Sequence, residues 1–205
     1  METDTELLAA WRAGNDAAGN RLVKRHFNAV YRFFRNKVDG DLDELVQATF
    51  TRMTDGADRI EAGAFRGFLF GVARNVLKEH YRARAKHRGA IDFEASSAVD
   101  LGTSPTGVLA RKENHRLLLA GLRAIPLQDQ IALELVYWEG MTGKEVGQVM
   151  GVPEGTARTR LRSARLSLEA ALDRLARSPE LLASTRDNLE RWTAAIRDYI
   201  GQPAS

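Results

Sequence analysis

Apolar residues recur along this chain at intervals of three and four, a spacing that predicts helices wherever it is sustained. Asp4, Thr5 and Glu6 precede Leu7, Leu8 and Trp11, an acidic start followed by apolar positions at i, i+1 and i+4. A second helix over 16–38 puts Leu22, Val23, Phe27, Val30, Tyr31 and Phe34 on one face. Gly40 interrupts it. Asp41 is placed to cap a third helix, in which Leu45, Val46, Thr49, Phe50 and Met53 recur at helical spacing. Residues 55–64 mix glycines with acids and read as a loop. A fourth helix, FRGFLFGVARNVLKEHYRAR, covers 65–84.

The pattern then lapses. Residues 85–107 are rich in Gly, Ser, Asp and Ala, carry Pro105 and show little periodicity, the composition of a flexible linker. Periodicity returns with Leu117, Leu118, Leu119, Leu122 and Ile125, then Ile131, Leu133, Leu135, Val136 and Tyr137. The expected fold is all-α: two helical domains, 1–84 and 108–176, joined by the linker. A C-terminal helical extension follows over 177–205. There Leu189, Trp192, Thr193, Ile196, Tyr199 and Ile200 form a further apolar stripe.

Composition narrows the chemistry. The 205 residues are 44% hydrophobic and 28% charged, enough apolar material for real cores. No cysteine is present, which excludes disulfides, thiolate chemistry and cysteine-ligated zinc. The four histidines (His26, His80, His87, His115) lack metal-ligand spacing, and no glycine-rich phosphate loop or nucleophile elbow occurs. The chain is therefore expected to be no enzyme and to need no cofactor or metal. No basic, then apolar, leader opens it, and no apolar run approaches the roughly 20 residues that span a bilayer, so a cytoplasmic location is expected. The formal net charge is only +3, so any nucleic-acid argument rests on where the charge sits.

It sits in one place above all. TGKEVGQVMGVPEGTARTRLRSAR (142–165) matches the helix-turn-helix pattern. Thr142 is positioned to cap a short helix whose Val146 and Val149 face inward. Gly147 permits close helix approach, and Gly151 supplies a left-handed turn. Pro153 presets the first turn of the next helix, with Leu161 and Leu166 as its anchors. Arg158, Arg160, Arg162 and Arg165 are left for a polyanion. In such a motif the second helix enters the major groove, where arginine bonds guanine edges or clamps phosphates.

Two further blocks carry a resemblance. DLDELVQATF (41–50) resembles the D-x-E-D-L-V-Q-E-T-F block of extracytoplasmic-function (ECF) sigma factors, and FRGFLFGVARN resembles their F-x-x-W-L-F-x-I-A-R-N block. VPEGTARTRLRSAR is similar to their final helix, P-x-G-T-V-K-S-R-L-x-R-A-R. The resemblance spans about residues 5–172 in the family's order.

It implies a protein that binds core RNA polymerase, recognises −35 and −10 promoter elements and promotes melting. The first block would dock on the clamp helices of the polymerase β′ subunit through Asp41, Glu44, Leu45, Gln47 and Phe50. The second would hold the melted −10 element with Arg74, Asn75, Lys78, Tyr81, Arg82 and Arg84, loop 55–64 cradling a flipped base. The third would read the −35 element with Gly155, Thr156, Arg158, Thr159, Arg160, Arg162 and Arg165. Phe68, Gly71 and Ser163 depart from the usual Trp, Arg and Arg. Control by an anti-sigma factor or by the C-terminal extension is expected. The rival readings are a stand-alone helix-turn-helix regulator, which has no use for 41–50, and a helical protein whose basic helix binds an acidic partner.

Overall fold

In the computed structural model, residues 2–85, 93, 95–101 and 113–187 are described. The C-terminal apolar stripe from Leu189 onward lies outside them, as does much of the 85–107 linker. Among the described residues all regular elements are helical apart from one isolated β-bridge, Ser97 to Pro126.

Four helices form the N-terminal unit: α1 (Asp4–Arg12), α2 (Asp16–Arg35), α3 (Leu42–Asp55) and α4 (Phe65–Ala85). Thr3 starts α1 with a capping box, its hydroxyl accepting from Glu6 N at 3.2 Å while Glu6 accepts from Thr3 N at 2.7 Å. Asp4 then ties α1 to α2, at 2.8 Å from His26 Nε2 and 2.7 Å from Arg25. Arg12 reaches across to donate to the Ala57 carbonyl at 3.0 Å, fixing the loop between α3 and α4. That loop contains one 3₁₀ turn, Ala57–Arg59. Leu22, Val30, Phe34, Met53, Leu69, Phe70 and Leu77 fill the centre of the unit.

Five helices form the C-terminal unit: α5 (Glu113–Arg123), α6 (Leu127–Tyr137), α7 (Gly143–Met150), α8 (Glu154–Leu175) and α9 (Pro179–Asp187). Leu117, Leu118, Leu122, Leu133, Trp138, Leu168 and Leu172 make its own core.

The two units do not stand apart. Leu127, Ile131, Leu135, Met141, Val146, Val149 and Ala157 of the second join the apolar cluster of the first. Part of the linker is docked as well: Phe93, Ala98 and Leu101 are buried, Val99 N donates to Arg123 O at 3.3 Å and Leu127 N to Ser96 O at 2.9 Å.

Three local expectations are corrected. Asp41 sits at the start of α3 but with φ of 53° and no side-chain cap bond, so it turns the chain without capping it. Phe27, expected on the inner face of α2, is 37% exposed. Leu166, expected as an anchor of α8, is 61% exposed. The buried stripe of α8 is Ala157, Ala164, Leu168, Ala171 and Leu172. At 100° per residue, Leu166 lies well over 90° from Leu161 around the helix, beyond any single face that includes both.

Candidate nucleic-acid interface

The α7–turn–α8 unit is built as its sequence demands. Thr142 and Glu145 form a capping box, with Glu145 accepting from Thr142 N at 2.8 Å. Gly151 ends α7 at φ of 69°, a left-handed conformation that favours glycine. At Gly147 a Cβ would stand 2.8 Å from the Val152 carbonyl oxygen, so only glycine lets the turn fold back on α7. Pro153 is the residue before α8 rather than within its first turn, and Glu154 opens the helix.

The start of α8 faces outward. Gly155, Thr156, Arg158, Thr159, Arg162 and Arg165 are all exposed, and Arg160 is half-buried. Arg158 pairs with Glu154 one turn back at 2.6 Å, an exposed pair of small energetic weight that can exchange for a phosphate or base. Arg165 lies over the Tyr137 ring, 5.6 Å from its centroid. Arg160 faces Asp129, whose carboxyl is pushed up by burial against the opposing pull of Arg160. The result is a helix N-terminus with exposed backbone amides and a fan of guanidinium groups, suited to a polyanion.

The second candidate surface follows α4. Asn75, Arg82 and Arg84 are exposed, while Arg74 and Lys78 are half-buried. Beside them a depression is lined by Arg59, Ile60, Phe68, Gly71 and Asn75, loop and helix together, with Gln148 of α7 at its edge. Tyr81 departs from expectation: it is 1% exposed, and its hydroxyl donates to the Lys37 carbonyl. Its ring faces the core and Phe93, centroids 6.2 Å apart, so in this conformation it cannot meet a nucleic acid.

The third surface is the outer face of α3. Asp41, Glu44 and Gln47 are exposed, and Phe50 is half-buried in a stack with Phe27, centroids 6.2 Å apart and planes 7° from parallel. Phe27 stacks in turn near Tyr31 at 6.3 Å. Leu45 is buried in the core and is not part of the outer face. Acids beside the partly exposed Phe27–Phe50 stack make a mixed apolar and acidic patch.

What sequence reasoning missed is the seam between the two units. Arg32 clamps Glu139 through Nε and Nη2, which donate to the two carboxylate oxygens at 3.0 Å each. Lys37, fully buried, bonds Glu134 and donates to Phe33 O at 2.6 Å. Burial pulls its ammonium below the ordinary lysine value, while Glu134 and then Glu139 oppose the shift. Asn36 and Gln130 complete the Glu134 carboxylate at 3.2 and 2.8 Å. Burial also lowers Arg123, which donates to Asn36 O at 3.2 Å. One signal was legible: Glu134 interrupts the apolar run IALELVYW, where a charge has to be paired to be buried.

Comparison with known families accounts for most of the chain. The model of Sigma-70 region 2 matches residues 22–87, and that of Sigma-70, region 4 matches residues 115–168. The ECF RNA polymerase sigma-E factor of Escherichia coli (strain K12) is 24% identical over 185 residues, covering 85% of this chain and 97% of the relative. That of Haemophilus influenzae is 26% identical over 177 residues, covering 82% and 94%. Among solved structures, CnrH in complex with the cytosolic domain of CnrY aligns at a TM-score of 0.62 with 23% identity, covering 85% of this chain and 100% of that one. The sigma factor RpoE in complex with the anti-sigma factor NepR from Bartonella quintana aligns at 0.57 with 20% identity, covering 75% and 96%.

Proposed function

The chain belongs to the extracytoplasmic-function (ECF) RNA polymerase sigma factors, and on that premise we propose how its three surfaces divide the work of initiation. As a sigma factor it binds core RNA polymerase, recognises −35 and −10 promoter elements and promotes melting; it is an initiation factor and not itself an enzyme. The outer face of α3, with Asp41, Glu44, Gln47 and the Phe50–Phe27 stack, docks on the polymerase clamp. The start of α8 reads the −35 duplex: Arg158 and Arg162 reach into the major groove while Gly155 and Thr156 meet phosphate at the helix N-terminus. The α4 face binds the opened −10 strand. Arg74, Lys78, Arg82 and Arg84 follow its phosphates, and the depression beside Asn75 and Phe68 receives an unstacked base. Leu45 and Tyr81 support these surfaces from the core.

The observation that carries the reading is that sigma regions 2 and 4 occur on one chain in order, each presenting an exposed charged face. No described helix is long and apolar enough to cross a membrane, in keeping with work in the cytoplasm beside the polymerase. An anti-sigma partner is the natural regulator, since two solved relatives of this fold were captured with CnrY and NepR.

The test is initiation in vitro. Purified chain added to core polymerase is expected to produce transcripts from discrete start sites on a pool of promoter fragments. Glu44→Ala/Gln47→Ala should weaken capture of core while leaving duplex binding by α8 intact. Tight duplex binding with no initiation from active core would instead identify a stand-alone regulator.

A further inference from the structure

The reading end of α8 carries one acid. Glu154 is the first residue of the helix, and from there to Arg165 every other charged side chain is an arginine. A carboxylate on a surface that meets DNA repels the phosphates it faces, whatever the sequence. Its partner shows what it offers instead. Arg158 Nη2 donates to Glu154 Oε1 at 2.6 Å, one helical turn along. The pair is open to water, with the side chain of Arg158 72% exposed and that of Glu154 42% exposed, so it adds little to stability. What it fixes is direction. The Arg158 stem lies across the first turn of α7: a Cβ built on Gly143 would stand 3.3 Å from its Cγ, 3.5 Å from its Nε and 3.8 Å from Cγ of Glu154. Gly143 has an ordinary helical backbone, unlike the left-handed Gly151, so its missing side chain serves the space above it rather than a turn. Gly143 beneath and Glu154 beside it hold the guanidinium at the junction of α7 and α8, while the ion pair engages one nitrogen of a five-donor fork.

We propose that Glu154 is a positioning residue for Arg158: it sets the guanidinium for one base pair of the −35 element and withholds it from phosphates elsewhere. The inference rests on the −35 assignment given above and concerns how that face discriminates. A long, unrestrained arginine takes any phosphate within reach, which raises affinity for all duplexes alike. Specificity is a difference between affinities, so weakening the wrong complexes serves it as well as strengthening the right one. Glu154 does both. Its carboxylate competes with phosphate for the same donor and repels the backbone, and it orients the rest of the planar fork toward the two acceptors of a guanine edge. A bidentate guanine contact offsets that repulsion, whereas a single phosphate contact does not. An acid is favourable at any helix N-terminus, which accounts for a glutamate at this position but not for its partner. That simpler role predicts a change in stability alone, with the sequence preference unmoved.

The test is a double-mutant cycle in holoenzyme assembled from the full chain and core polymerase, with duplex binding by the full chain measured beside it. Transcript is read from templates carrying each single-base substitution of a −35 element that the unsubstituted chain uses. Arg158→Ala is expected to flatten the preference at one base pair. Glu154→Ala should narrow it severalfold at that same pair. Binding to an unrelated duplex should meanwhile tighten about two- to fivefold, and the slope of log affinity against log salt should steepen by about 1. In the Arg158→Ala background, Glu154→Ala should change the preference no further. Glu154→Gln retains an acceptor oxygen and should keep most of the preference, while sharing part of the gain on unrelated duplex. Narrowing at a different base pair, further narrowing in the absence of Arg158, the same loss with glutamine as with alanine, or no narrowing at all overturns the proposal. Preferences that survive Arg158→Ala unaltered would refute the base-reading assignment of Arg158 separately, since Glu154 is intact in that variant.

Discussion

At Gly71, midway along α4, an added Cβ would meet nothing within 4 Å, so this residue keeps backbone freedom without using it for packing. Gly71→Ala should raise stability by about 0.5–1 kcal/mol, read as an increase of a few degrees in thermal midpoint. The same change at Gly147, where the Cβ would stand 2.8 Å from the Val152 carbonyl, should lower stability by about 1–3 kcal/mol. The sequence distinguishes the two only in part: Gly147 has a recognisable place in a helix-turn-helix, whereas the space around Gly71 depends on which helices come near it. His26 gives a pH signature. Burial holds its imidazole below the ordinary value of 6.5, outweighing Asp4 at 2.8 Å, and Arg66 and Arg25 add to the lowering. The unfolded chain therefore binds a proton more readily than the folded one. Stability is complete above about pH 6.5 and declines as pH falls through the lower folded value. Denaturant midpoints measured from pH 7.5 to pH 5 should fall, and His26→Gln should flatten part of that slope. His80, also lowered by burial and by Arg84, supplies a further part.

At the scale of the element, α8 shows how far periodicity carries and where it stops. Its basic end, the Thr142 cap before α7 and the left-handed Gly151 are legible in the sequence, because each is a local rule about neighbouring residues; the Glu145 half of the capping box is a finding of the structure. Leu166 departs from its expected anchoring place because an apolar residue within a helix need not lie on its buried stripe. Pro153 stands one position before the first turn expected for it, because composition marks a helix start only to within a residue or two. The arginines of α8 should separate by what they touch. Arg162 is exposed, and Arg158 gives up only a surface pair with Glu154, so either can turn to DNA at little cost. Arg158→Ala should lose about 1–3 kcal/mol of −35 duplex binding if it meets a base edge, with relaxed sequence preference at one position. If it meets phosphate, the loss should be uniform across sequences, and the slope of log affinity against log salt should fall by about 1. Arg165, resting on Tyr137, should matter less to affinity than Arg162. Fluorescence anisotropy on labelled duplexes at several salt concentrations resolves these cases.

For the whole molecule, local patterns identified two helical units and a tether but not how the units meet. The seam joins residues about a hundred positions apart, Arg32 to Glu139 and Lys37 to Glu134, and no periodicity encodes such a pairing. The one local trace of it is Glu134, a charge inside an apolar run that the apolar periodicity passes over. That carboxylate makes the seam testable as an equilibrium. Glu134→Ala leaves the Lys37 ammonium buried without its partner, which in a rigid core costs about 3–5 kcal/mol, whereas Lys37→Met/Glu134→Leu removes both charges and should be close to neutral. A seam that can part offers another outcome, because Lys37 then regains water by separation of the units and the loss is capped at the free energy of opening. Glu134→Ala is therefore expected to lower global stability by less than the rigid-core figure. Hydrogen exchange should accelerate along α4, α6 and α7, and the radius of gyration in solution should rise above about 17 Å. The double variant should restore slow exchange and compactness. A full loss of stability with no expansion would mean that the units form one inseparable core.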